Sequence, residues 1–114
     1  MNNELKAIFG DVIVVNGKSA PVAHLRYKGK GTTFVTWTIT AENPAMSADD
    51  EPLYSVVTVD VDVFSKGNYL ALATEIKQLM KQHDWVWVGD SAEMYEEDTE
   101  LYHKTISFEK ERNV

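Results

Sequence analysis

The sequence predicts an α+β fold: an antiparallel β-sheet of about four to five strands, with one long helix (about 68–83) and a short N-terminal helix packed on it. Three observations predict it. Residues 54–80 read YSVVTVDVDVFSKGNYLALATEIKQLM, and the first half alternates, with Val57, Val59, Val61 and Val63 on one face. The second half changes to helical spacing at Tyr69, Leu72, Ala73, Ile76, Leu79 and Met80. The remaining strand-like runs follow one another without regular β-α alternation, so the helices are expected to lie against an antiparallel sheet.

Taken in order, residues 3–9 form the first expected helix. Asn2 or Asn3 caps it, Leu5, Ile8 and Phe9 share one face, and Gly10 ends it. Two helical turns are not stable alone, so this piece must dock on something. Val12 to Val15 is a short β-prone run, followed by the tight-turn dipeptide Asn16-Gly17. Pro21 has no N–H to donate, which limits pairing at the start of the return strand. Residues 22–27 read as a strand, Lys28-Gly29-Lys30-Gly31 as a turn, and residues 33–40 as a strand with Val35, Trp37 and Ile39 on one face. These two strands are expected to form a hairpin.

Residues 41–52, AENPAMSADDEP, are expected to be the one real loop, because they hold two prolines and four acids. A loop of that length is either a mobile hairpin tip or a binding segment. The organising strand follows. Its second face is mixed: Tyr54, Val56, Thr58, Asp60, Asp62 and Phe64. Ser65 to Asn68 make the turn, and Asn68 suits the helix N-cap better than Ser65. His83-Asp84 end the helix. Trp85-Val86-Trp87-Val88 is apolar on both faces, which suits a place between helix and sheet or at an interface. Residues 89–100 form an acidic connector in which Met94 and Tyr95 are the candidate anchors. Residues 101–110 close the chain as a strand, and the charged tail 109–114 is expected to fray.

At 114 residues the chain reads as a single domain, 1–114. It has no cysteine, which excludes disulfides, thiolate catalysis and Cys-based zinc sites. The formal charge is −7, so phosphate backbones are repelled unless the few bases cluster, and they do so only at Arg26, Lys28 and Lys30. No apolar run approaches the ~20 residues that span a bilayer, and the N-terminus lacks the apolar stretch of a signal peptide. A soluble cytosolic protein without a membrane partner is expected.

The sequence carries no motif that points to catalysis or metal binding. Asp60 and Asp62 share a strand face, yet no third ligand is near them in sequence, and alternate acids usually mark a strand's wet side. His24, His83 and His103 have no zinc-motif spacing, although His24 and His103 both fall in expected strands where they could meet. No G-x-S-x-G elbow occurs. Lys28-Gly29-Lys30-Gly31 lacks P-loop spacing. No catalytic, metal or cofactor residue is therefore named. The features left are of the interaction type, and the candidate residues are Asp49, Asp50, Glu51, Glu93, Tyr95, Glu96, Glu97 and Asp98.

The second half resembles a known family. VTVDVDVFSKGN before the helix, and MYEEDTELYHKTISFEKE after it, are similar to the small tail-completion proteins of siphophages and prophages, also called tail terminator or head-to-tail joining proteins. The shared marks are a strand V-D-V-[FW]-S, here Val59-Asp60-Val61 through Ser65, and Y-E-x-D-T-x-L-Y-H-K, here Tyr95 through Lys104. The resemblance spans residues 53–110, and Asn16-Gly17 has no counterpart in it. It implies a virion structural protein, assembled in the host cytoplasm. Its role would be to cap the tail tube as a ring, commonly a hexamer, and join it to the head connector. Tail tube protein and head connector protein would be its partners, and phage DNA would pass through without specific binding. Two other classes remain. One is a small acidic cytosolic adaptor or inhibitor that binds another protein through a sheet edge and acidic loops. The other is a hydrolase or metal enzyme built on Asp60, Asp62 and the histidines.

Overall fold

The computed structural model describes residues 2–48 and 51–113, and the alternating valine run lies at its centre. In chain order the elements are α1 (Asn2–Phe9), β1 (Val12–Val15), β2 (Lys18–His24), β3 (Thr33–Ala48), β4 (Glu51–Ser65), α2 (Leu70–Gln82), β5 (Val86–Asp90), β6 (Met94–Glu96) and β7 (Leu101–Asn113). The seven strands form one sheet in the order β1-β2-β3-β4-β7-β5, with β6 also paired to β7.

This corrects the expected fold. Seven strands replace the four or five that the sequence predicts, and the two helices are short, α2 spanning 13 residues. The sheet dominates because three segments read as loop, turn or tail are strand instead. The described part of 41–52, residues 41–48 and 51–52, is the largest. Pairing of β3 with β4 continues from Thr33↔Ser65 out to Ala48↔Glu51, with register shifts around Pro44 and Met46. Proline is tolerated there for a physical reason. The β2 partner ends at His24↔Trp37, so beyond that point β3 is an edge strand, and Pro44 needs no second ladder bond. The tail is the second case: β7 stays paired with β4 as far as Tyr54↔Asn113. Residues 94–96 of the acidic connector are the third, as strand β6.

The expected hairpin of residues 22–40 is also corrected. β2 and β3 are parallel, with Val22↔Val35 and His24↔Trp37. The eight-residue link 25–32 therefore runs back along the sheet instead of reversing it. Leu25 starts the return with φ +67 and donates its N–H to the Trp37 carbonyl at 2.9 Å. Tyr27 then lies on Phe34, and its hydroxyl accepts the Gly31 N–H at 3.1 Å. A Cβ on Gly29 would fall 2.1 Å from that hydroxyl, so glycine here lets the ring lie against the chain.

The core lies between the sheet and the two helices. Val57, Val59, Val61 and Val63 are fully buried on one face of β4, joined by Val35 and Trp37 of β3 and by Ile106 and Phe108 of β7. Ile76 and Met80 of α2 and Leu5 of α1 close over them. Asn68 Oδ1 accepts the Leu70 N–H at 2.9 Å at the start of α2. The helix ends at His83, before Asp84 at φ +68. Trp85 is buried behind the helix, whereas Val86, Trp87 and Val88 are exposed along the β5 edge.

Candidate interaction surface

The face of the sheet away from the helices carries a row of stacked rings. Tyr27 stacks on Phe34 at 4.4 Å, Phe34 on Phe64 at 4.6 Å, and Phe64 on His103 at 4.1 Å. The register makes this row: Phe34 pairs with Phe64 and Phe64 with His103, and directly opposed residues share a face. The same register extends to both edges. Met94 of β6 is opposite His103, and Val12 of β1 is opposite Pro21, one residue before the Val22↔Val35 pair. An apolar or aromatic row thus crosses the outer face from β1 to β6, and both of its ends, Val12 and Met94, are exposed.

Below this row on the β6 side, the acidic connector is pinned at its base. Tyr69, the residue just before α2, donates its hydroxyl to the Glu93 carboxylate. Burial first, then the hydrogen bond to Glu93 and the charges of Glu93 and Asp90, together push the Tyr69 hydroxyl up to about 12. Asp90 receives the Trp87 indole N–H at 2.8 Å and lies 3.3 Å from Lys77 and 3.2 Å from Lys104. Burial pushes the Asp90 carboxyl up, but the bonds from Trp87, Lys104 and Lys77 outweigh it and hold the group below its usual value. Lys77 also lies over the Trp87 ring, 4.3 Å from its centre.

Beyond this anchored base the charges are unbalanced. Tyr95 and Glu96 are exposed on β6, and Glu97, Asp98 and Glu100 are exposed in the turn to β7. Tyr95 meets Tyr102 edge-on at 5.1 Å. Among the described residues, no lysine, arginine or histidine forms an ion pair with Glu96, Glu97, Asp98 or Glu100. On the β2–β3 side of the sheet, Arg26, Lys28 and Lys30 are exposed on the 25–32 link and likewise have no ion-pair partner among the described residues. A groove of about 700 Å³ opens beside them, between the Asn16-Gly17 turn region, Thr32 and the start of α2.

Of the sequence-named residues, the structure brings Glu93, Tyr95, Glu96, Glu97 and Asp98 together on the acidic connector around β6. Asp49 and Asp50 lie outside the described residues, and Glu51 opens β4 at the end of the hairpin far from the acidic connector. Asp60 and Asp62 are engaged across the sheet: Ser107 donates to Asp60 at 2.7 Å, and His103 and Thr105 bond Asp62, the histidine at 2.9 Å. His24 and His103 do not meet, because β3 and β4 lie between their strands; His24 stacks on Trp37 instead. Sequence reasoning missed the ring row; it noted the cluster Arg26, Lys28 and Lys30 but not its place across the sheet from the acidic connector. The spacing of Phe34, Phe64 and His103 carries no signal until strand pairing is known. No protein-family model and no curated protein matches the chain.

Proposed function

We propose that this chain is a structural subunit of a phage or prophage tail, a tail-completion-type protein that caps the tail tube as a ring and joins it to the head connector. The observation that carries the reading is the arm formed by the far half of the β3–β4 hairpin. Among the described residues its strand partner is the end of β7 alone, and the molecule extends to 52 × 27 × 23 Å. A strand ladder that reaches this far past the helices has little of its own chain left to pack on, so a neighbouring body is the natural place to bury it. The polar side chains of Asp60 and Asp62 are spent on cross-strand bonds, which suits a scaffold role. The D-V-[FW]-S and Y-E-x-D-T-x-L-Y-H-K resemblance supplies the choice of assembly. The negative charge suits a channel through which DNA slides without being held.

The test is electron microscopy of phage particles assembled in the absence of this chain. Overlong tails, or tails unjoined to heads, are the expected outcome. Normal virions would refute the reading.

A further inference from the structure

We propose that copies of this chain join head-to-tail, with β1 and the basic link 25–32 of one copy set against β6 and the acidic turn 96–100 of the next. The proposal rests on the ring reading above and specifies its contact.

Four observations carry it. The two surfaces lie at one level of the sheet. Through the pairing of strands, Val12 falls in the row of Phe34, Phe64, His103 and Met94, and Ile13 falls in the row of Ser65, Tyr102 and Tyr95. The strand directions also agree. β1 opposes β2, which runs with β3, while β6 opposes β7, which runs with β3 through β4; β1 and β6 therefore point the same way. A rotation about an axis along the strands preserves direction and brings the two edges side by side as a parallel pair. Such a contact uses two different patches, which is the kind that closes into a ring. Strand addition at an open edge supplies main-chain hydrogen bonds.

The third observation is apolar continuity. The outer-face row ends in Val12 at one edge and Met94 at the other, 46% and 44% exposed, and each would cover the other in the joined sheet. The fourth is charge. The 25–32 link carries Arg26, Lys28 and Lys30 and no acid; residues 96–100 carry Glu96, Glu97, Asp98 and Glu100 and no base. Four like charges on one tight turn repel each other, and three cations from a neighbour relieve that repulsion. The exposed Tyr95 and Tyr102 rings add faces on which Arg26 or a lysine can rest. Both charged patches are solvent-exposed, so the attraction orients and selects the partner more than it sets affinity.

The test uses the full chain in two reversed variants, Lys28→Glu with Lys30→Glu, and Glu97→Lys with Asp98→Lys. All four side chains are exposed, so each variant should melt like the parent. Association is read by sedimentation at rising concentration and by electron microscopy of the chain mixed with tail tubes. Each variant alone should weaken association about tenfold or more, and an equimolar mixture of the two restores only mixed contacts, whereas one chain carrying both reversals should regain assembly. A parent chain that assembles and variants that assemble equally well would overturn this contact and leave the ring reading standing. A parent chain that stays monomeric alone and on tail tubes would overturn both.

Discussion

Tyr69 shows how a single side chain joins the helix to the candidate surface. Its ring is buried at the start of α2, and its hydroxyl bonds Glu93 at the base of the acidic connector. Its pKa is raised from 10.0 to about 12, so the folded state holds the proton more tightly than the unfolded chain does. The stability this contributes is complete below about pH 10 and is lost as pH rises toward 12. Tyr69→Phe should lower stability at neutral pH by about 1–2 kcal/mol, because a bond to a carboxylate is removed. The variant should also show a flatter loss of stability across the alkaline window, measured by denaturant titration at several pH values. An identical alkaline slope in both proteins would show that the hydroxyl does not couple to folding. Asp90 has the opposite sign. Its folded pKa is lowered, so its contribution is present above the carboxylate range and is lost as pH falls through it. Lys110 ties three parts together in a comparable way: it pairs with Glu4 of α1, donates to the His83 carbonyl at 3.0 Å, and lies 5.7 Å from the Trp85 ring centre.

Among the elements, β7 departs furthest from its local sequence signal. Residues 109–113, EKERN, have the composition of a frayed tail, yet they pair with β4 from Thr58 to Tyr54. Arg112 lies 3.5 Å from Glu42, and Glu42 accepts the Ser55 hydroxyl at 2.8 Å, so the three strands of the arm are linked by side chains as well as by backbone. Hydrogen exchange should show amides of residues 110–112 protected well above those of the 97–100 turn. Exchange at the rate of an unstructured peptide would return this segment to the status of a tail. The β1–β2 turn is the opposite case, where local sequence suffices. Asn16 and Gly17 take φ +53 and +77, the positive values that this dipeptide accepts and most others resist.

At the scale of the molecule, the arm sets the shape. The Cα radius of gyration is 15.3 Å. A compact chain of this length has a radius of about 13 Å. Small-angle scattering of the dilute protein should give the larger value, raised a little further by hydration. A radius near that of the compact chain would mean that the arm folds back on the body, and the main support for a ring subunit would go with it. The distribution of charge is the second molecular property. A net charge of −7 conceals a cationic link on one side of the sheet and an anionic turn on the other. The proposed head-to-tail contact would use this separation to orient one copy on the next.

By itself, the sequence determined the periodic and the local. The valine face of β4, the buried stripe of α2, the docking face of α1 and the Asn16-Gly17 turn follow from spacings of two, three and four residues and from φ preferences, and neighbours along the chain carry that information. The acidic residues of the 89–100 connector were legible too, as composition. The tertiary structure alone decided the parallel pairing of β2 with β3, the extension of β3 and β4 through a proline-bearing segment, and the pairing of a charged tail. These depend on which strand lies alongside, and an edge position or a partner ladder overrides local propensity. It alone aligned Val12, Phe34, Phe64, His103 and Met94 in one row and placed the basic link and the acidic turn at one level of the sheet. These residues are brought together by cross-strand register, to which separation along the chain gives no guide.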